Sequence, residues 1–313
     1  MIVRGRPSGL RLFLVLRGSV LHQIWKVLLV NIVLATLVTV SHGALFSHKI
    51  TLTAIPFTLI GLALAIFLGF RNNAAYDRYC EGRQLWGEIV LQARNFARQC
   101  LTLIEHAAPL TPDAGLDDVR KRMIYRTIAF SHALRHLLRD TPARDQLKPL
   151  LVEREWQQLG QVSNIPDYLM HRMGDDLRQC LAEQRIDGCL AATVEGTMSA
   201  MTAAAAACER IKSTPIPFSY TLMLHRTAYM YCFLLPFGLV DTIGFMTPFV
   251  VGIVAYTFFG LDALGDEIEE PFGNLPNDLA LDAICRGIEI NLREAVGEQH
   301  GLEPLKPVDY CLM

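Results

Sequence analysis

Carboxylates crowd the stretch that follows one apolar run: Asp262, Asp266, Glu267, Glu269 and Glu270. Oxygen-rich clusters suit a hard cation such as calcium, but this spacing is not that of an EF-hand loop. A solvated, salt-bridged face packed against arginine-rich helices is the preferred reading, so these five residues are only weak metal candidates. His132 and His136 are four apart and could grip a metal from one helix face. No third ligand accompanies them, and an ordinary surface or core pair is preferred. His225 and Arg226 fall inside an apolar run, where an ionisable residue points by default to a functional site. Pairing with a carboxylate is an equally good account. The eight cysteines, Cys80, Cys100, Cys180, Cys189, Cys208, Cys232, Cys285 and Cys311, form no CxxC pair and no metal-ligand spacing. They read as reduced, mostly buried thiols. No phosphate-binding glycine loop, nucleophile elbow or HExxH motif occurs, so neither enzyme chemistry nor a cofactor is expected.

A different kind of chemistry, the passage or exclusion of ions, could reside in Ile55 to Phe70. Leu62, Ile66 and Phe70 are large and apolar and repeat every four residues; Gly61, Ala65 and Gly69 are small and repeat one position earlier. At about 100° per residue these are neighbouring faces of one helix. Small residues at that spacing let helix backbones approach closely in lipid. The large stripe could face lipid, a packed core, or a pore in which apolar side chains gate by dewetting. From spacing alone, lipid or core is preferred.

The elements that must hold these residues are helical. The chain is 51% apolar and 19% charged with a formal charge of −2, a balance that gives no reason to expect nucleic acid as a partner. Its mean hydropathy of +0.28 exceeds that of a typical soluble protein. Residues 1–20 are basic, with Arg4, Arg6, Arg11 and Arg17, and read as an amphipathic segment that lies along the cytosolic membrane surface or packs on the soluble body. Although these arginines precede an apolar run, further apolar runs follow, so an uncleaved first span is preferred to a signal peptide. Spans are expected at 24–41, 55–70, 219–240 and 243–260. The second, begun at Pro56, can continue without a break because no proline occurs before Pro109. Its apolar part rises only about 24 Å, short of a hydrocarbon core of about 30 Å, which favours a helix shielded by protein or lining water. The loop at 42–54 carries only Lys49, and Asp241-Thr242 reads as a tight loop between the last two spans. Helical periodicity continues at 74–107, 117–139, 144–159, 167–185, 188–211 and 278–296, with an irregular tail from Gly297. No strand pattern is found. Arginine crowds the N-terminus and the segments flanking the central region, which places both termini and that region in the cytosol.

Three runs resemble the bestrophin channel family, in its bacterial branch. The first is FLGFRNNAAYDRYCEGRQLWGEI, with Arg71, Asn73, Tyr76, Arg78, Glu81, Arg83 and Trp86 at matching positions. The second is CERIKSTPIPFSYTLMLHR, from Cys208 to Arg226, and the third extends from Met246 to Ile290. The resemblance covers most of the chain and is loose at about 105–185. It implies an all-α protein with four transmembrane helices and a large cytosolic helical body, assembled as a homopentamer around a central pore in the cell inner membrane. Its parts would be 1–71 (amphipathic segment and spans one and two), 72–214 (cytosolic helices), 215–260 (spans three and four) and 261–313 (cytosolic C-terminal region). In the family the second span lines the pore, and Leu62, Ile66 and Phe70 fall at its apolar neck. A second constriction at the cytosolic exit maps to Cys189, where the family usually carries an aliphatic residue. Eukaryotic members have a denser acidic cluster that clasps calcium, and the thinner run here departs from it. An apolar neck cannot select by charge, so Asp241 at the outer entrance and the acidic face near 262–270 lean the reading towards monovalent cations, with chloride possible. Membrane lipid and the permeant ions complete the expected partners. A secondary transporter would show repeated halves, which spans one to two and three to four do not. A non-conducting membrane scaffold fits the hydropathy equally.

Overall fold

The computed structural model describes residues 1–3, 5, 9, 15, 18–41, 44–45, 48–49, 53–105, 110–111 and 115–313. Most of the N-terminal basic segment, including Arg4, Arg6, Arg11 and Arg17, lies outside these, as do Pro109 and Pro112. The chain forms two compact units. One comprises Met1–Val3, Cys80–Thr214 and Pro271–Met313; the other comprises Arg4–Tyr79 and Pro215–Glu270.

The second unit is an apolar helix bundle. It contains α1 (Leu21–Val40), the first part of α2 (Ala54–Leu103), α8 (Phe218–Ile243) and α9 (Thr247–Glu269). Among the described residues, three stretches are long and apolar enough to cross a membrane: Leu21–Val40, Ile55–Leu103 and Phe218–Glu269. The last holds both α8 and α9, parted by a single turn of 3₁₀ helix at Gly244–Met246. Gly244 has φ 51°, a left-handed conformation that glycine adopts without a Cβ penalty. The chain therefore reverses at Gly244, and Asp241-Thr242, expected as the loop, belong to the last turn of α8. Pro248, expected inside the last span, sits in the first turn of α9, where its missing N–H costs no helical bond. Buried residues recur every three or four positions: Leu224, Ala228, Cys232 and Leu235 on α8, and Val251, Ala255 and Phe259 on α9. Against them pack Ile24 and Ala35 of α1 and Leu64 of α2. Close approach is built in. A Cβ on Gly238 would lie 2.6 Å from the Phe57 ring, and one on Gly61 2.8 Å from the Tyr231 hydroxyl. Outside this core Leu29, Val30, Val33, Leu37, Phe249 and Ile253 stay exposed, and large exposed apolar surfaces mark contact with lipid or another chain.

The first unit gathers the second part of α2, α3 (Val119–Leu138), α4 (Arg144–Leu147), α5 (Glu153–Gln158), α6 (Ile165–Ala182), α7 (Gly188–Ser213) and α10 (Leu281–Ala295). Local signals set the starts. Asp118 caps the Arg120 amide at 2.9 Å, Asn164 caps Asp167 at 3.0 Å, and Asp187 caps Cys189 at 2.8 Å. The single helix expected over 144–159 is broken into short α and 3₁₀ turns, since Pro149 removes a donor at its centre. Helix α3 is buried on nearly every side, charged residues included. Arg126 reaches Asp176 at 2.7 Å and also pairs with Glu155; Arg122 reaches Asp176 at 2.9 Å, and Arg135 reaches Asp282 at 2.7 Å. The first residues join the tail, with Val3 N–H donating to the Tyr310 carbonyl at 2.8 Å. One further departure from the helical expectation is a two-residue antiparallel pairing of Ala44–Leu45 with His48–Lys49, which includes Lys49.

Candidate functional site

Helix α2 is continuous from Ala54 to Leu103, and its first part has two faces. Leu64, Leu68, Arg71 and Ala75 are buried in the bundle. Leu62, Ile66 and Phe70 point roughly the opposite way, at 100° per residue, and are 61%, 49% and 61% exposed. Among the described residues the stripe is thus no part of the core, and it is left open to lipid, water or another chain. Of the small residues, Gly61 meets Tyr231 inside the bundle, whereas Ala65 and Gly69 are exposed.

One residue beyond Phe70 the character of the helix changes. The Arg71 guanidinium is fully buried and donates to Asp262 Oδ1 at 2.7 Å. It also bonds Asp266 and lies 3.9 Å from Glu269. His225 Nδ1 stands 2.6 Å from the other Asp262 oxygen, so the carboxylate is held between α2 and α8. Asn72 Nδ2 donates to the Leu261 carbonyl at 3.0 Å, Arg78 Nε to the Glu269 carbonyl at 3.0 Å, and the Ile216 amide to Glu269 Oε1 at 3.1 Å. Glu267 is buried, and Glu270 directly follows the last residue of α9. Several of the weak metal candidates are therefore occupied by arginine, histidine and backbone groups, the arrangement of a salt-bridged face. Among the described residues no cluster of three or more His, Cys, Asp or Glu is arranged to hold a metal. The sequence pattern marks His225 and the carboxylates separately. Their joining through Arg71 does not show in it, although an arginine closing an apolar span needs a partner if it is buried.

His132 is buried and contacts Glu289 at 3.3 Å and Gln146 at 3.2 Å; His136 contacts Thr141 at 2.7 Å and Gln146 at 2.8 Å. Each ring is thus engaged in protein hydrogen bonds. Cys189 is exposed in the first turn of α7. Cys100, Cys208 and Cys285 are buried, and burial pushes the thiols of Cys208 and Cys285 up to about 12. Asp241 is exposed near the end of α8. Asn31, which no sequence pattern singles out, is fully buried in α1, and neither amide atom has a hydrogen-bond partner among the described residues.

A family profile described as "Bacterial/Fungal Bestrophin protein" matches residues 1–294. A protein of Mesorhizobium japonicum named a voltage-dependent anion channel-forming protein is 41% identical over 305 residues, covering 95% of this chain and 93% of that one. A protein of Salmonella typhi with the same description is 39% identical over 299 residues, covering 96% of this chain and 95% of its own. Among solved structures, a bacterial Bestrophin homolog from Klebsiella pneumoniae aligns with a TM-score of 0.81 at 35% identity, covering 88% of this chain and 100% of that one.

Proposed function

The chain belongs to the bacterial and fungal bestrophin family, and from that premise we propose that it is an ion channel of the inner membrane rather than an enzyme. Four helices cross the bilayer: α1, the first part of α2, α8 and α9. Both termini and residues 72–214 face the cytosol. Five copies surround a central pore, because one chain offers too few spans to enclose one and a closed ring satisfies every interface. Helix α2 lines that pore, with Leu62, Ile66 and Phe70 as its neck, Cys189 at the cytosolic aperture and Asp241 at the outer entrance. The observation that carries this reading is the apolar stripe left exposed on α2 opposite the buried face of the same helix. In a ring, each stripe position becomes a girdle of apolar side chains that ions cross reluctantly.

For selectivity, the balance tips towards monovalent anions. The relatives are named as anion channel-forming proteins. The lean towards cations rests partly on the acidic run, yet Asp262 is buried between Arg71 and His225 and offers no free charge to a passing ion. The test is recording of purified protein in planar bilayers under a potassium chloride gradient. Discrete steps are expected, with a reversal potential towards that of chloride. Reversal towards potassium would return the preference to cations, and absence of any step in any salt would favour a non-conducting scaffold or a transporter.

A further inference from the structure

The residue below the neck is built as a lock. Arg71 follows Phe70 directly, so the two side chains are about 100° apart on one rigid helix and cannot turn independently. Arg71 is fully buried, and its planar fork reaches two carboxylates of α9, Asp262 at 2.7 Å and Asp266, as well as the Asp262 carbonyl at 3.4 Å. Asn72 adds a second tie to α9 through the Leu261 carbonyl at 3.0 Å. Helix α9 is shaped to receive both. A Cβ on Gly265 would lie 2.5 Å from Asn72 Oδ1 and 3.4 Å from Arg71 Cζ. From α8, His225 holds the far oxygen of Asp262 at 2.6 Å and so fixes the acceptor that Arg71 grips. A fork that bonds two acceptors in fixed geometry defines an angle of rotation, which a single ammonium would not.

We propose that Arg71 is a positioning residue for the neck: its clamp on Asp262 and Asp266, seated in the space left by Gly265, sets the rotation of α2 and thereby aims Phe70. This rests on the channel reading above, in which Phe70 is the last ring of the neck. Arg71 itself never meets the permeant ion.

The experiment uses the full-length protein with Phe70→Cys on a Cys189→Ala background. The rate of modification of residue 70 by a charged, water-soluble methanethiosulfonate is read by mass spectrometry of its peptide. Rates are compared with Arg71 intact and with Arg71→Lys, Arg71→Met and Gly265→Ala. The proposal expects a severalfold change for Arg71→Met and for Gly265→Ala, and a smaller change for Arg71→Lys, in protein that elutes at the same volume. Gly265→Ala keeps every charge and carries the test if Arg71→Met does not fold. A purely structural role would lower yield or thermal stability while leaving the labelling rate of the surviving complex unchanged, and that result overturns the proposal. Because labelling needs no current, a protein that labels as expected but never conducts would sink the channel reading and leave the lock standing.

Discussion

At the scale of single residues, the structure separates side chains that meet solvent from those that hold the helices. Cys189 is exposed, whereas the thiols of Cys208 and Cys285 are raised to about 12 by burial. At pH 8 a thiol of that pKa is ionised in only about one part in ten thousand, and the thiolate is the nucleophile. A water-soluble thiol reagent should therefore reach Cys189, with the half-buried Cys80 and Cys311, ahead of the buried thiols. If Cys189 lines the proposed aperture, its modification alters the current, and Cys189→Ala removes that change. Equal sensitivity of the variant would move the cytosolic constriction elsewhere. Arg126 illustrates the other class. It is buried among Glu155 and Asp176, so Arg126→Met takes from Glu155 its closest cation and leaves Asp176 to Arg122. Breaking a buried pair costs at most about 3–5 kcal/mol where a charge is left alone, and less where a second arginine remains, so thermal unfolding of the detergent-purified protein should show a clear loss of stability. A melting temperature equal to wild type would mean that water already reaches those carboxylates.

At the scale of elements, what is legible in the sequence depends on whether one helix or several decide the outcome. The continuity of α2 can be read because only a proline or a strong cap would stop it, and none intervenes. The starts at Asp118 and Asp187 follow from side chains two residues away from the amides they cap. Sequence alone puts the last reversal a few residues early, because Asp241-Thr242 has turn-forming side chains while the positive φ of Gly244 decides. Helix α3 carries five arginines and lysines, Arg120, Lys121, Arg122, Arg126 and Arg135, yet it is buried almost all round. The sequence does not show this, because the partners Glu155, Asp176 and Asp282 come from other parts of the chain. The clamp on Arg71 is hidden for the same reason, since its partners lie about 190 residues away. Close helix packing gives a direct test. Gly238→Val would drive a branched side chain into the Phe57 ring, which lies 2.6 Å from where even a lone Cβ would stand. Overpacking of this kind costs about 1–3 kcal/mol. A lower melting temperature with loss of assembled protein is expected, and Phe57→Ala in the same chain should partly restore both. No effect of Gly238→Val would mean that α2 and α8 can part freely.

At the scale of the whole molecule, the central claim is that five copies enclose a pore whose barrier is the ring of Leu62, Ile66 and Phe70. The stripe is exposed in the single chain, so its truncation removes little from the chain's own core. The most direct measurement is paired, on wild type and on the triple variant Leu62→Ala, Ile66→Ala, Phe70→Ala: mass of the purified complex, and unitary current in planar bilayers. Widening and wetting an apolar constriction lowers the barrier to ions, and none of the three side chains carries a charge by which to select. The account predicts a pentamer in both proteins, a larger unitary current in the variant, and little change in reversal potential. A monomeric or dimeric mass for the wild type, or an intact pentamer whose current is unchanged by all three truncations, would contradict it.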